Sequence, residues 1–197
     1  MDHLTRLLLD AQNGDRAALD SFVRETHHDV TTLCRHLGDP DSIDDLVQET
    51  YQRAFTSLHR FRASGPARHW LLTIARRTCA DGARRRSRRR RLGRRLDELG
   101  GIEVECSPID GSGAEIDELL HLLDDDRRAA FVLTQLNGLR YDEAAEVLDV
   151  PIGTIRSRVS RAREQLVDVL RAAEAAHEPD DGREPSRVVR RPSHRPS

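Results

Sequence analysis

The residues best suited to bind another molecule lie on one face of a helix predicted to start near Ile152. An apolar stripe at steps of four and three marks the face that this helix buries. The stripe consists of Ile155, Val159, Ala162, Leu166 and Val169. The opposite face carries hydroxyl groups and guanidinium groups, which can bond base edges in the major groove of DNA. Those residues are Thr154, Arg156, Ser157, Ser160 and Arg161.

A second predicted helix, Tyr141 to Leu148, positions this face. Asp149-Val150-Pro151 forms the corner between the two helices, and proline costs no hydrogen bond where a helix begins. We expect Gly153 to leave room for a close approach of the two helices. Two helices joined by so short a turn indicate a helix-turn-helix, whose second helix enters the major groove.

A basic stretch lies farther toward the N-terminus. A helix is predicted from Arg68 to about Arg86, with Trp70 on its inward side. It continues into Arg84–Arg95, which holds nine arginines and no acid. Such a run can contact nucleic-acid phosphates or serve only as a solubilising segment, and its continuity with a polar helix face favours phosphate contact.

The helix before it has an acidic outer face. Ser42-x-x-Asp45 resembles a capping box at its start. The outer face is either simply solvated or a docking surface, and periodicity alone leaves both open. Its polar residues are Asp44, Asp45, Gln48, Glu49, Gln52 and Arg53.

The helical periodicity recurs in two blocks and predicts an all-α chain of two small helical domains joined by a flexible linker. Further helices are predicted at Leu4–Asp10 and Arg16–Leu37, and the run Asp124–Asp126 is expected to cap another. We expect domains at 4–95 and 114–172, a Gly-rich linker at 96–113 and a disordered tail at 173–197.

Composition excludes several classes of function. All 32 basic residues are arginine, which codon bias in a GC-rich genome explains without a functional cause. The net charge is only −2, but acidic and basic residues are segregated along the chain, so a DNA-binding face is compatible with a near-neutral total. Nothing predicts a membrane span, a signal peptide, a metal site, a cofactor or a catalytic motif. The three cysteines are expected to be free structural thiols. The cytoplasm is the expected location.

Three stretches in order resemble the bacterial RNA polymerase sigma factors of the extracytoplasmic-function (ECF) type, within the sigma-70 family. DDLVQETYQRAF (44–55) looks like the sigma region 2 helix that docks on core polymerase. FRASGPARHWLLTIARRTCADGARR (61–85) is similar to the loop and helix that melt and read the −10 element. GLRYDEAAEVLDVPIGTIRSRVSRAREQL (138–166) looks like region 4, which reads the −35 element.

The resemblance implies a role for each set of residues in a protein that is not an enzyme but a specificity subunit. The −35 element would be read by the polar face of the last helix, while Arg158 and Arg163 make phosphate or intradomain contacts. The −10 strand would be held by Arg62, Ser64, His69, Arg76, Arg77 and Arg84. Core polymerase would bind Asp45, Leu46, Gln48, Glu49 and Arg53. The partners implied are core RNA polymerase, promoter DNA and an anti-sigma factor, with which the family often pairs.

Some positions depart from the family pattern. Arg77 stands where the family usually has asparagine, which puts the base contact there in question. Asp124 or Asp125 replaces a usual proline, and Ala144-Ala145 replaces isoleucine-alanine. Two other classes stay open from the residues alone: a stand-alone helix-turn-helix regulator, which would have no use for the N-terminal half, and an arginine-rich RNA-binding protein.

Overall fold

This computed structural model describes residues 1–97 and 114–177, which form helices joined by short turns and loops and contain no strand. The expected all-α fold is therefore confirmed for these residues. An N-terminal domain contains α1 (His3–Gln12), α2 (Arg16–Leu37), α3 (Ile43–Ser57) and α4 (Ala67–Asp97). A C-terminal domain contains α5 (Ala114–His121), α6 (Asp125–Phe131), a π-helical turn (Val132–Leu136), α7 (Tyr141–Leu148) and α8 (Ile152–His177).

The N-terminal domain is built around α2, which packs against α1, α3 and α4. The helical stripe predicted for α2 supplies the centre of the core, because Phe22, Val30 and Leu33 are all fully buried. A carboxylate caps the N-terminus of both α1 and α2. Asp2 accepts the Thr5 N–H, and Asp15 accepts the Ala18 N–H.

The start of α3 differs from the expected capping box. Pro40–Ser42 forms a short 3-10 helix capped by Asp39, and the Ser42 side chain makes no capping hydrogen bond. The capping-box prediction is wrong because the 3-10 turn supplies another way into the helix. Gly38, just before this 3-10 helix, has no space for a side chain. A Cβ at this position would lie 2.4 Å from both the Cys34 carbonyl oxygen and Leu46 Cδ1, which is closer than van der Waals contact allows.

A buried hydrogen-bond chain ties α3 to α2. The Tyr51 hydroxyl lies 2.9 Å from Thr26 Oγ1, which in turn donates to the Phe22 carbonyl at 2.7 Å. Thr26 is fully buried and Tyr51 is 8% exposed. Burial raises the pKa of the Tyr51 phenol to about 12. The phenol therefore acts as a neutral hydrogen-bonding group between the two helices.

Replacing Tyr51 with phenylalanine is expected to lower the free energy of unfolding by about 1 kcal/mol, the usual net contribution of one hydrogen bond. Urea denaturation followed by circular dichroism measures this change. Tyr141→Phe is the matched control, because no hydrogen bond to the Tyr141 hydroxyl occurs within the described residues. It should stay within about 0.5 kcal/mol of wild type, and equal losses in both variants would contradict the role of Tyr51.

The C-terminal domain contains the predicted helix-turn-helix. Asp124 caps α6, as expected, by accepting the Arg127 N–H at 2.8 Å. At the corner Asp149 takes the left-handed conformation, with φ 54° and ψ 50°, and closes α7. The stripe of α8 is buried, since Ile155, Val159 and Ala162 are at most 1% exposed.

Two sequence expectations in this part of the chain are wrong. A Cβ on Gly153 would meet no atom within 4 Å, so this glycine does not serve a close approach of helices. The expected disordered tail began at residue 173, but α8 continues to His177 because alanine and glutamate there are good helix formers. The α4 helix likewise extends to Asp97. The rest of the expected linker (98–113) and tail (178–197), and Cys106, lie outside the described residues.

The two domains are packed against each other, which the sequence did not predict. α2 contacts α5, α6 and the π-helical turn, and α4 contacts α7. Their buried residues form one continuous cluster, in which Leu71 and Leu72 of α4 share a core with Leu133 and Ala144. This contact affects the surroundings of several residues with a predicted site role.

Candidate nucleic-acid interface

The polar face of α8 is open to solvent. Arg156, Ser157, Ser160 and Arg161 are exposed, and Thr154 is half-buried. The apolar stripe on the opposite side fixes this orientation, because it is held in the domain core. Ser157 Oγ donates to the Thr154 carbonyl at 2.9 Å, and Ser160 Oγ donates to Glu164 at 2.9 Å. The structure thus brings all five predicted −35 residues to one helix face.

Two other arginines of α8 are engaged within the domain. Arg158 is paired with Asp126 of α6. The Arg163 Nη2 donates to Gln135 Oε1 at 2.7 Å. These contacts agree with the expectation that both arginines make phosphate or intradomain contacts. Arg156 and Arg161, in contrast, are exposed on the outer face of α8.

The loop before α4 surrounds a small pocket of about 240 Å³. Phe61 and Trp70 form its apolar part, with their ring centroids 5.2 Å apart and tilted by 54°. Ala63 in this loop has a positive φ of 51°, a strained conformation for a residue with a Cβ. Arg62 and Ser64 are exposed at the rim. An aromatic floor with a polar rim is suited to hold an unstacked base.

His69, expected on the outer face of α4, is instead only 9% exposed. Its Nδ1 lies 3.2 Å from Glu146 Oε2, and its Nε2 lies 3.7 Å from Glu143 Oε1. Both carboxylates belong to α7. The periodicity of α4 placed His69 away from the core of its own domain, but that face packs against the C-terminal domain.

The remaining residues predicted to contact the −10 strand follow α4 along a cleft of about 550 Å³ between the domains. Arg76 and Arg84 line this cleft, whereas Arg77 is exposed. The Arg76 Nε is buried and makes no hydrogen bond within the described residues. Asp125 and Asp126 of α6 lie on the opposite wall of the cleft. Arg128 and Arg158 line the same cleft and pair with these two carboxylates, so the basic track faces ion pairs of the other domain.

A network of ion pairs covers the outer face of α3. Arg53 binds Glu49 at 2.7 Å and Asp81 of α4 at 2.8 Å. Arg85 of α4 makes two contacts with Glu49, at 2.7 and 3.2 Å. The hydrogen bond from Arg85, together with the charge of Arg53, holds the pKa of the Glu49 carboxyl below its usual value. Glu49 is therefore charged at neutral pH and anchored to two helices.

The other residues predicted to dock on polymerase lie around this network. Asp45 and Gln48 are exposed, while Leu46 is only 3% exposed and packs beneath the face. Leu46 and Glu49 line a pocket of about 410 Å³ together with Arg85 and Arg86. The first arginines of the basic run thus lie beside the predicted docking face.

Sequence reasoning missed several residues that the fold brings together. Arg68 forms a bidentate ion pair with Asp29, at 2.6 and 2.8 Å, and donates to the Asn137 carbonyl at 2.6 Å. Periodicity gives no signal for such pairs, because the partners lie on different helices. Cys34 and Cys79 also meet, with a sulfur–sulfur distance of 3.8 Å, as free buried thiols.

No group of three or more His, Cys, Asp or Glu side chains within the described ranges is arranged to hold a metal ion. No helix among the described residues is both long enough and apolar enough to cross a membrane.

Two regions of this chain match models of known protein families. Residues 22–89 match the family model for sigma-70 region 2, and residues 113–166 match that for sigma-70 region 4. The ECF RNA polymerase sigma factor SigC of Mycobacterium tuberculosis is 42% identical over 180 residues, which cover 90% of this chain and 93% of the relative. The ECF RNA polymerase sigma-E factor of Escherichia coli is 31% identical over 171 residues, covering 79% and 87%.

Two solved structures have a similar fold. CnrH in complex with the cytosolic domain of CnrY has a TM-score of 0.68 at 28% identity, covering 87% of this chain and 99% of that one. The sigma factor RpoE in complex with the anti-sigma factor NepR from Bartonella quintana has a TM-score of 0.62 at 28% identity, covering 78% and 96%. The matched regions, their order and the extent of the identity lead to one conclusion: the chain belongs to the ECF RNA polymerase sigma factors of the sigma-70 family.

Proposed function

We propose that the two domains of this sigma factor have separate tasks during promoter recognition. As a sigma factor, the chain binds core RNA polymerase and directs promoter-specific initiation of transcription at −10 and −35 elements. The N-terminal domain (4–95) docks on core polymerase and reads the −10 strand. The C-terminal domain (114–172) reads the −35 duplex, and the segment between them (96–113) sets their separation. The observation that carries this proposal is the exposed polar face of α8.

At the −35 element, Arg156 and Arg161 face base edges in the major groove. An arginine guanidinium group can donate hydrogen bonds to both acceptors on the major-groove edge of a guanine, which is a common specific contact with DNA. Thr154, Ser157 and Ser160 supply shorter donors to bases or phosphates. The exposure of this face supports the assignment, because the duplex can reach it without rearrangement of the domain.

At the −10 element, the pocket beside Phe61 and Trp70 captures a base that has left the duplex. Unstacking a base costs a few kcal/mol, which stacking on an aromatic side chain can offset. Arg62 and Ser64 hold the strand at the rim. His69, Arg76, Arg77 and Arg84 then follow its phosphates along α4.

Core polymerase binds the outer face of α3. Asp45, Gln48, Glu49 and Arg53 make this contact, and Leu46 supports it from below. Glu49 is held by two arginines, so its side chain is oriented before the partner arrives, which lowers the entropy cost of binding.

Glu49→Ala is expected to weaken the affinity for core polymerase by about tenfold, or about 1.4 kcal/mol. The change removes a charge and releases Arg53 and Arg85 from their common partner. Titration of labelled protein with core polymerase measures the affinity. Glu25→Ala, an exposed acid on α2, is the matched control and should bind as wild type. An unchanged affinity in both Glu49→Ala and Arg53→Ala would remove the docking assignment.

The chain performs no catalysis of its own and works in the cytoplasm, where it meets polymerase and DNA. An anti-sigma factor is a further partner, since the solved relatives include a sigma factor bound to one. Affinity purification of the tagged protein from its host tests both partnerships. Polymerase subunits in the eluate are the expected result, together with a small inhibitory protein. An eluate without polymerase subunits would contradict the proposal.

A further inference from the structure

We propose that Cys34 and Cys79 are a redox-sensitive pair, which hydrogen peroxide converts into a disulfide that joins α2 to α4 and weakens binding to core polymerase. The proposal assigns a modification site to two thiols that have no part in promoter recognition. It rests on the docking face proposed for α3, because the pair lies beneath that face.

The two thiols are already in contact across a helix interface. Cys34 lies on α2 and Cys79 on α4, and their sulfurs are 3.8 Å apart. Both are free thiols, and their exposed fractions are 0% and 1%. A disulfide forms only where the fold places two cysteines close together with their side chains pointing toward each other. The contact between these sulfurs meets this requirement.

The interdomain cleft gives a small oxidant access to the pair. Cys79 lines this cleft of about 550 Å³, beside Arg76 and Ala80. A water molecule takes up about 30 Å³ of liquid, and hydrogen peroxide is only slightly larger, so the cleft can admit it. Cys34 is fully buried behind this wall. Peroxide therefore meets Cys79 first.

The oxidation proceeds in two steps that use one molecule of hydrogen peroxide. The Cys79 sulfur attacks a peroxide oxygen, the O–O bond breaks, and the released hydroxide leaves as water with the thiol proton. The Cys34 sulfur then attacks the sulfur of this sulfenic acid and forms the S–S bond. The S–O bond breaks, and its hydroxide leaves as a second water with the Cys34 proton. The two sulfurs lose two electrons, and the peroxide takes them up.

The hydrogen bond between the thiols divides the two roles. Cys79 donates to the Cys34 sulfur, which stabilises the Cys34 thiolate and lowers its pKa against the opposing effect of burial. Cys34 is therefore suited to the second attack. The same hydrogen bond, together with burial, raises the pKa of Cys79. The first step is consequently the slow one, so oxidation requires a sustained exposure to peroxide.

The pair lies in a tightly packed region under the docking face. Leu46 of α3 belongs to the same buried cluster as Cys34 and Cys79. Gly38 has no space for a side chain against Leu46, and a Cβ on Gly82 would lie 3.1 Å from Leu46 Cδ2. The sulfurs must move closer together to bond, and this packing leaves little room for the side chains alone to adjust. The disulfide should therefore shift α4 relative to α2 and α3.

A shift of α4 reaches the docking face through two ion pairs. Arg85 of α4 binds Glu49 at 2.7 Å, and Asp81 of α4 binds Arg53 at 2.8 Å. Asp81 and Arg85 follow Cys79 within two turns of the same helix, so they move with it. Coupled sites usually change each other's affinity by about 5- to 150-fold. We expect the disulfide to weaken binding to core polymerase within this range.

The test uses the full-length protein with Cys106→Ser, which leaves Cys34 and Cys79 as its only cysteines. The protein is treated with hydrogen peroxide, and half of the sample is then reduced with dithiothreitol. Mass spectrometry of non-reduced peptides should find Cys34 joined to Cys79 before reduction and not after it. Cys79→Ser in the same background is the matched control, and peroxide should leave its affinity for polymerase unchanged.

Titration of the labelled protein with core polymerase measures the effect. The oxidised protein should bind about 5- to 150-fold more weakly than the untreated protein, and dithiothreitol should restore the affinity. Since coupling is reciprocal, saturating polymerase should favour the dithiol by the same factor. In a dithiothreitol redox buffer this raises the reduction potential of the pair by about 20–65 mV, at about 30 mV for each tenfold change.

Absence of the cross-linked peptide would overturn the proposal. Equal affinities of the oxidised and reduced protein, or the same loss of affinity in the peroxide-treated control, would also overturn it. Such results remove only the redox site if the reduced protein binds polymerase and Glu49→Ala weakens that binding. Failure of the reduced protein to bind core polymerase would instead contradict the proposed function.

Discussion

Alanine in place of Arg156 is expected to reduce transcription from a promoter with an intact −35 element by about 5- to 150-fold. This range corresponds to the 1–3 kcal/mol that a bidentate arginine–guanine contact contributes to discrimination. Arg156 is exposed on a helix whose opposite side is buried, so its loss should leave the fold unchanged. Run-off transcription with saturating variant protein measures the effect, and the affinity for core polymerase should stay at the wild-type value.

The assignment of Arg156 is tested by comparing promoters as well as proteins. On a promoter with a mutated −35 element, wild type and Arg156→Ala should produce equal amounts of transcript, because the mutation has already removed the contact between Arg156 and the −35 base. Arg163→Ala is the matched control on the same helix, since Arg163 donates to Gln135 within the domain. If intact wild-type protein transcribed equally from both promoters, Arg156 would have no role in reading the −35 element.

Alanine in place of Phe22 is expected to lower the free energy of unfolding by about 3–5 kcal/mol, which is the usual cost of emptying a buried phenylalanine site. Phe22 is fully buried in α2, and its carbonyl accepts the Thr26 hydroxyl. Phe55→Ala is a suitable comparison, because Phe55 is half-buried and its replacement should lower the free energy of unfolding by less. Urea denaturation at 25 °C measures both values.

A loss of less than about 1 kcal/mol in Phe22→Ala would contradict the central place of this residue in the N-terminal core. The strand-binding function provides a second readout. α4, which holds most of the residues proposed to bind the −10 strand, packs against α2. Destabilising α2 should therefore weaken promoter opening more than binding of the −35 duplex.

Helical periodicity predicted most of the helices of this fold, but not the π-helical turn at Val132–Leu136. The stripe of Ile155, Val159 and Ala162 predicted both the buried side of α8 and the exposed polar face opposite. Residue type predicted the N-terminal caps of the helices less reliably. Asp124 caps its helix as expected, but Ser42 does not, because a preceding 3-10 turn changes the geometry at that helix start.

Contacts between the domains could not be predicted from periodicity. A helical pattern tells which face a helix buries, but not which partner covers the other faces. His69 was expected on an open face and lies against Glu146, a residue 77 positions later in the chain. No sequence pattern predicted the contact between Arg68 and Asn137, because their hydrogen bond depends on how the two domains pack together.

The most direct test is run-off transcription with purified chain and core RNA polymerase from its own host. Templates should carry a promoter intact in both elements, mutated at −35, or mutated at −10. Specific transcripts are expected only when the chain is added, with a strong decrease on either mutated template. Absence of a specific transcript with host core polymerase, or equal output from all three templates, would contradict the assignment of this protein as a promoter-reading sigma factor.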